Sequence, residues 1–292
     1  MPLISQLGTV NFIGKILHNQ DISAIDVSKK FLVIGSDEGN QVQVLGRDGE
    51  DYQVINEITL NKNAVEIDIE GIACEGNTVY VVGSHSCKSN KNNKEAKIDP
   101  DRDRLFRFSL DDYGKKQALE ETSLRDFIDS QEVLKDYSHI PSKKNGVDIE
   151  GIAVRKEQLY IGFRSPVLPR NWVPVLKCRF ANPIAEAKLV YVQLGGLGVR
   201  DITRVEKGFL ILAGPREGSS GSYQVYFWDG KDCQSHKSGR IGQIEHLGEI
   251  PTPKDGKAEG LVILEESPSD YEVLIIYDHL KNGAPTRLRI EK

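Results

Sequence analysis

The segment NGVDIEGIA, residues 145–153, places two acidic residues and a glycine inside an apolar run that otherwise has the pattern of a buried strand. An almost identical segment, EIDIEGIA, occupies residues 66–73. Each copy is followed by a short aliphatic strand pattern, NTVYVVGSHS at 77–86 and EQLYIGFRSP at 157–166. Two segments that recur in the same order indicate an internal repeat.

Weaker copies of this two-part pattern begin at residues 21, 199 and 257. The starts are spaced on the order of 50 residues apart with one longer gap, which is the range of propeller blades. A third strand pattern follows most copies, and a fourth is visible at 52–60, 188–194 and 243–250. Four antiparallel strands repeated radially are typical of a β-propeller. The sequence therefore predicts an all-β fold, a single β-propeller domain over residues 1–292 with about five four-stranded blades.

The two ends of the repeat region suggest how the ring closes. The fifth copy has only three strand patterns, whereas the segment TVNFIGKIL at 9–17 precedes the first copy without a hairpin partner. We expect this N-terminal segment to supply the outer strand of the last blade, which removes a free sheet edge.

The longer gap between the second and third copies predicts an inserted helix over residues 123–137. Ser123 is suited to cap it, and Leu124, Phe127, Ile128 and Leu134 lie near one helical face. Six blades remain the alternative if residues 104–144 contain a degenerate blade.

Composition excludes several classes of function. Charged residues make up 28% and hydrophobic residues 39% of the chain, which is ordinary for a soluble protein, and the net charge of −5 gives no electrostatic case for nucleic acid or a membrane surface. No apolar stretch approaches a membrane span, and no secretory signal is visible. The four cysteines are far apart and form no C-x-x-C pair, so we expect a reduced, cytoplasmic protein.

Equivalent residues of the repeats should converge, because the first strand of every blade lines the central channel of a propeller. Aligning the copies places four acids at one position, with Ser23 in the first copy: Glu70, Glu150, Asp201 and Glu259. Two positions earlier the fourth copy has Val199, and the other four copies have a charged residue: Asp21, Asp68, Asp148 and Lys257. The second strands end in another charged set: Asp37 with Glu38, His85, Arg164, Arg216, and Asp278 with His279.

Four converging carboxylates repel one another unless they are protonated, paired or bound to a metal. Oxygen-rich clusters suit calcium or another divalent cation, and arginines suit an anionic substrate group. One hypothesis is therefore a metal-assisted hydrolase of a phosphoester or related ester. Its residues fall into three sets: catalytic Glu70, Glu150, His85 and Arg164; substrate-binding Arg200, Lys257 and Arg216; and metal-ligating Asp68, Asp148, Asp201, Glu259 and Asp278.

Other interpretations stay open. An acid at a strand start can bind backbone N–H groups or pair with an arginine of a neighbouring blade, and such structural networks also perturb titrating groups. The same cleft could hold a small anionic ligand without turnover, or a rim could bind a partner protein. A propeller fold does not choose among these functions.

The repeat motifs also resemble a known family. DIEGIA followed by GSHS or GFRSP, then LGGLGVRDI at 194–202, ILAGP at 211–215 and KAEGL at 257–261, resembles a bacterial β-propeller family of unknown function, domain of unknown function 3616. The resemblance runs from Asp21 to the C-terminus, and no established activity follows from it. A looser similarity links the motifs to the family named for the esterase-like activity of phytase, which implies phosphoester hydrolysis with bound calcium.

Overall fold

Short β-branched and aromatic segments such as FLVIGS and LYIGF form strands that hydrogen-bond into five sheets of four or five strands and one two-stranded sheet. The computed structural model describes residues 3–89, 96–216, 219–234 and 241–292. In chain order its strands are β1 (Ile4–Thr9), β2 (Phe12–Ile13), β3 (Ile22–Val27), β4 (Phe31–Ser36), β5 (Gln41–Asp48), β6 (Asp51–Thr59), β7 (Ile69–Glu75), β8 (Thr78–Gly83), β9 (Cys87–Ser89), β10 (Ala96–Ile98), β11 (Leu105–Leu110), β12 (Lys116–Thr122), β13 (Asp148–Arg155), β14 (Gln158–Ser165), β15 (Trp172–Arg179), β16 (Lys188–Gln193), β17 (Gly198–Val205), β18 (Gly208–Gly214), β19 (Gln224–Trp228), β20 (Ile244–Glu249), β21 (Lys257–Glu266), β22 (Asp270–Asp278) and β23 (Thr286–Glu291).

These strands build a five-bladed β-propeller, which confirms the predicted fold and excludes six blades. The blades consist of β3–β6, of β7, β8, β11 and β12, of β13–β16, of β17–β20, and of β21–β23 with β1. The innermost strands β3, β7, β13, β17 and β21 pack side by side around the axis. The short strand β2 adds a fifth, parallel strand to the first blade, and β9 pairs with β10 as a separate hairpin.

An N-terminal strand closes the ring, as expected, but the closing segment lies earlier in the chain. Strand β1 pairs antiparallel with β23, from Ile4 opposite Ile290 to Thr9 opposite Thr286. The predicted segment 9–17 instead lies beside the first blade. Its apolar residues Val10 and Phe12 are buried between the first and fifth blades, which explains their strand-like pattern.

The inserted helix is shorter than predicted. Helix α1 covers Arg125–Ser130, and the chain turns out of the helix at Gln131, whose backbone is extended. Residues 104–144 otherwise supply β11, β12 and a 3₁₀ turn at Ser142–Lys144; two more 3₁₀ turns lie at Pro169–Asn171 and Lys281–Gly283. The four apolar residues predicted on one face are all buried, because the turns after Ser130 return Leu134 to the same core. No helix of the described ranges is long and apolar enough to cross a membrane.

Every innermost strand carries a β-bulge near its start. In four blades a single extra residue has no partner on the second strand of the blade, and in the third blade Glu150 and Gly151 share the bulge. A bulge bends the strand and changes the direction of a side chain, and such bulges are common beside active sites. The bulged residues are Ser23, Glu70, Glu150, Arg200 and Glu259.

Gly151 tests how closely these bulges pack. Its φ is +89°, and a Cβ atom there would lie 2.6 Å from the backbone Cα of Asp201 in the next blade. We predict that Gly151→Ala lowers the free energy of unfolding by about 3 kcal/mol or more, since backbone strain and overpacking add. Gly76→Ala is the matched control. It also has a positive φ, +63°, but open space around the Cβ, so its cost should be about 1–2 kcal/mol in urea unfolding. Equal losses in the two variants would refute the close approach.

Candidate functional site

The bulges define a ring of side chains from all five blades, here called the bulge ring: Ser23, Glu70, Glu150, Arg200 and Glu259. The sequence alignment had placed Asp201 in this ring. The structure instead places Arg200 there. In every blade the residue two positions after the bulged residue is aliphatic and buried, and this pattern sets the register. In the fourth blade that residue is Ile202, which fixes the register one residue away from the predicted one.

Asp201 has a different role in the structure. Its Oδ1 accepts a hydrogen bond from the Ile202 amide at 2.7 Å, and its Oδ2 accepts one from the Leu261 amide of the fifth blade at 2.8 Å. Burial raises the pKa of this carboxyl well above its usual value despite the two amides. Asp201 therefore joins two blades through the backbone, as one of the alternative interpretations of the strand-start acids proposed.

Arg200 bridges two acids of the bulge ring. Its Nη1 donates to Glu150 Oε2 at 2.7 Å and to Glu259 Oε1 at 2.8 Å, and its guanidinium lies 5.7 Å from the ring centre of Tyr223. Burial raises the pKa of Glu259 to about 7, although Arg200 opposes this shift. The arginine that was predicted to bind substrate is thus occupied by carboxylates from two other blades.

Arg164 and Arg102 are also occupied by acids. Arg164 forms ion pairs with Asp148 and, at 2.5 Å, with Glu150. Arg102 lies 2.8 Å from Asp68 and also pairs with Glu66, and Ser84 donates its hydroxyl to the same Asp68 carboxylate. No pattern in the sequence pointed to Arg102, because it lies between β10 and β11, outside the repeat.

The remaining predicted residues fall into two groups. Lys257 Nζ donates to Asp278 Oδ2 at 2.9 Å. This pair lies beside the bulge ring. His85 and Arg216 point to other partners. Arg216 donates to Asn145 Oδ1 at 2.8 Å and pairs with none of the predicted acids among the described residues.

His85 was predicted to be catalytic, but both of its ring nitrogens bind backbone. Nδ1 is 2.9 Å from the Gly83 carbonyl, and Nε2 accepts the Leu124 amide at 3.2 Å, which anchors the start of α1. Burial lowers the pKa of His85 to about 4, so the neutral ring with a proton on Nδ1 satisfies both contacts. The structure gives this residue a positioning role in the fold.

Two carboxyl groups remain without a basic partner. Among the described residues Glu70 forms no hydrogen bond or ion pair, although its charge acts on Arg102 and Arg164 from a distance. Oδ1 of Asp37 is a buried oxygen without a donor. Burial and the surrounding acids raise the pKa of Glu70 well above its usual value and that of Asp37 to about 8. We call the bulge ring and its charged neighbours the channel mouth; the neighbours are Asp37, Glu66, Asp68, Arg102, Asp148, Arg164, Lys257 and Asp278.

The predicted metal ligands are held by basic groups or backbone. Within the described ranges no three histidine, cysteine or carboxylate side chains are placed together to hold a metal ion. Asp68, Asp148, Glu259 and Asp278 each contact an arginine or lysine. As arranged, the acids therefore neutralise basic groups and do not form a calcium cage, which needs six to eight oxygen ligands.

Comparison with protein families places the chain. The sequence matches the model described as Protein of unknown function (DUF3616) over residues 21–119 and 113–291. The chain belongs to the DUF3616 family. No curated protein matches it. The looser similarity to the phytase-related family is not confirmed by these comparisons.

Solved propellers resemble the DUF3616 chain in fold. Glutaminyl cyclase from Myxococcus xanthus shares 10% sequence identity at a TM-score of 0.55, over 99% of this chain and 97% of that one. The aldose sugar dehydrogenase of Streptomyces coelicolor, in a structure with bound PQQ, shares 11% identity at a TM-score of 0.47, over 100% and 98% of the two chains. At 10% identity the likeness to the glutaminyl cyclase describes the fold alone.

The Arg200 bridge predicts a large loss of stability. Arg200→Met in the DUF3616 chain removes the shared partner of two buried acids, and we expect the free energy of unfolding to fall by about 3–5 kcal/mol. The loss should be larger at pH 8 than at pH 5, where the acids can take up protons. Arg179→Met is the control, since its side chain is 44% exposed and its ion pairs should contribute less than about 1 kcal/mol. A similar loss in both variants would contradict the bridge.

Asp37 predicts a trend with pH. Its pKa is near 3.8 when unfolded and about 8 when folded, so between these values only the unfolded state loses the proton and the folded state becomes less stable as pH rises. Asp37→Asn removes this effect. The melting temperature of the variant should therefore rise relative to the wild type from pH 5 to pH 8.

Asp111→Asn is the matched control for this trend. Hydrogen bonds from the Lys115 and Tyr113 amides lower the pKa of the exposed Asp111 carboxyl, so its titration ends below pH 5. The difference in melting temperature between this variant and the wild type should stay constant over the same range. If the difference in melting temperature between Asp37→Asn and the wild type is also independent of pH, the pKa of Asp37 is not raised in the folded protein.

Proposed function

We propose that the channel mouth binds a small ligand that brings a positively charged group to Glu70 and Asp37. The observation that supports this most directly is that, among the described residues, neither carboxyl forms an ion pair, whereas each of the other acids of the channel mouth does. A buried acid without a partner raises the free energy of the folded protein, and a bound cation offsets that cost.

The charge of the site favours a cation over the anionic ligand expected from the sequence. That expectation required free arginines, but Arg102, Arg164 and Arg200 each pair with carboxylates. Lys257 also pairs with an acid, Asp278. An anion at the channel mouth would have to displace these acids from their arginine and lysine partners. A cation needs no such rearrangement.

An organic ammonium group suits the site better than a divalent metal. Three N–H donors of a primary ammonium can be shared between two carboxylates, whereas calcium needs more oxygen ligands than these two residues supply. Metal-assisted hydrolysis of a phosphoester remains the enzymatic alternative. It requires Glu70 and Asp37 to hold a divalent cation with ligands from water and substrate, and one of the two acids to act as base.

We also propose that the protein works in a reducing compartment, the cytoplasm. The four cysteines support this proposal, because none of them forms a disulfide and Cys87 and Cys178 are buried. A partner protein on a rim of the propeller remains compatible with the ligand site.

Titration with n-butylammonium at pH 6, 7 and 8 tests the proposed function. Near pH 7 Asp37 holds a proton that the cation must displace, so affinity should rise with pH by up to about tenfold per unit for each proton released. Glu70→Gln and Asp37→Asn should each weaken binding, and Asp37→Asn should also flatten the pH dependence. Isothermal titration calorimetry in two buffers of different ionisation enthalpy measures the released protons.

Several controls separate the alternatives. Butyrate has the same apolar chain with a negative charge and should not bind. Asp51→Asn changes a half-buried carboxylate that binds Asn11 outside the channel mouth, and it should leave the affinity unchanged. Binding of butyrate in preference to the amine would overturn the proposal. Turnover of a phosphoester panel that needs calcium, magnesium or manganese and is lost in Glu70→Gln would establish the enzymatic alternative instead.

A further inference from the structure

A cavity lies between the fourth and fifth blades, away from the channel mouth. Its volume is 630 Å³, within the range of small-molecule pockets. Apolar side chains from three strands line it: Phe227 of β19, Leu247 of β20 and Tyr271 of β22. Pro268 and six polar or charged residues complete the lining: Glu206, Lys207, Glu245, Glu266, Ser267 and Lys292.

Lys292 shows how this cavity holds an ammonium group. Its Nζ lies 4.3 Å from the centre of the Tyr271 ring, 2.9 Å from Glu266 Oε1 and 2.6 Å from the Ser267 carbonyl oxygen. An aromatic face, a carboxylate and a carbonyl together stabilise a cation by cation–π attraction and charge-assisted hydrogen bonds. The chain itself therefore supplies one example of the chemistry that fits here.

Further groups in the cavity have no partner. Tyr271 is only 5% exposed, yet its hydroxyl forms no hydrogen bond with the described residues. The carboxylates of Glu206 and Glu245 likewise form no ion pair within the described ranges. Burial, together with the charges of Glu266, Glu245 and Glu206, raises the pKa of Tyr271 to about 12. The electric field of all three acids therefore reaches the Tyr271 hydroxyl. The Tyr271 hydroxyl and the exposed carboxylates of Glu206 and Glu245 are therefore open to a ligand.

We propose that this cavity binds a small apolar amine, with its ammonium group at Glu206 and Glu245 and its hydrocarbon part on Phe227 and Leu247. The apolar floor provides the affinity for the hydrocarbon part, and the glutamates select the charge. Lys292 contacts Glu266 and the face of the Tyr271 ring. It therefore fills part of the cavity and neutralises one of the three glutamates that could attract the ligand. The site does not depend on the channel mouth and makes a separate binding function.

Phenethylammonium and 3-phenylpropionate provide a matched pair of probes, because both place a phenyl ring on a short chain and differ in the sign of the charge. We expect phenethylammonium, and not 3-phenylpropionate, to shift the ¹³C methyl signals of Leu247 in the wild-type protein. Reading the signal at Leu247 locates binding in this cavity and separates it from binding at the channel mouth. If no signal of Leu247 shifts, the proposal for this cavity is wrong, but the proposal for Glu70 and Asp37 is not affected. Equally, a negative result with n-butylammonium does not bear on this cavity.

Two variants and one control sharpen the test. Glu245→Gln should weaken the affinity read at Leu247 by about two- to fivefold, the size of an exposed ion pair. Lys292→Met should strengthen it, because it frees Glu266 and the face of Tyr271. The control Glu132→Gln, an exposed acid beyond the end of α1, should change nothing. Equal shifts with both probes, no shift with either, or weaker binding in Lys292→Met would each overturn the proposal.

Discussion

Arg200 lies between Glu150 of the third blade and Glu259 of the fifth, and its guanidinium donates to both carboxylates. Two buried acids of like charge could not remain ionised side by side without it, because desolvation and mutual repulsion both favour the protonated forms. The bulge of β17 is what brings Arg200 to this position. At the bulge position three blades carry a glutamate, whereas the fourth blade carries Arg200. The charge balance of the channel mouth depends on this one basic residue.

The five blades are therefore not equivalent at the axis. The second to fifth blades contribute the acids and basic groups that neutralise each other, whereas the first blade contributes Ser23 to the bulge ring. The hydroxyl of Ser23 donates to the Ile69 carbonyl at 2.5 Å. The two carboxyls without an ion pair among the described residues, Asp37 and Glu70, belong to the first and second blades, and burial raises the pKa of both. Because the blades carry different residues at a few equivalent positions, the two sides of the channel mouth differ in their charged groups.

Periodicity in the sequence was sufficient to predict the propeller, the five blades and an N-terminal closing strand, because strand patterns and turn residues repeat with the blades. The site was predicted only in part. Glu70, Glu150 and Glu259 align through the glycine that follows each of them, but Asp201 was chosen over Arg200 because the alignment followed residue type instead of the aliphatic register. His85 stands at an aligned strand end, yet only coordinates reveal that backbone groups occupy both nitrogens.

Arg102, by contrast, could not be found from the repeat, because it belongs to the segment between β10 and β11 that has no counterpart in other blades. The same limit applies to the short helix. Its apolar face was predicted correctly, but its end at Ser130 is set by tertiary contacts, among them the ion pair of Arg125 with Asp103. Residues outside a repeat must be judged by the surfaces that they meet, and a single sequence does not contain that information.

The closing strand imposes an order on synthesis and folding. The Leu3 amide donates to the carboxylate of Glu291, 288 positions further along the chain, and β1 pairs with β23 over its length. On the ribosome, β1 emerges first and waits for its partner until almost all other strands have been made. Contacts between such distant positions slow folding, and unpaired edges invite association during the delay. A circular permutation that places residues 3–10 after β23 would let every blade form from consecutive strands as it leaves the ribosome.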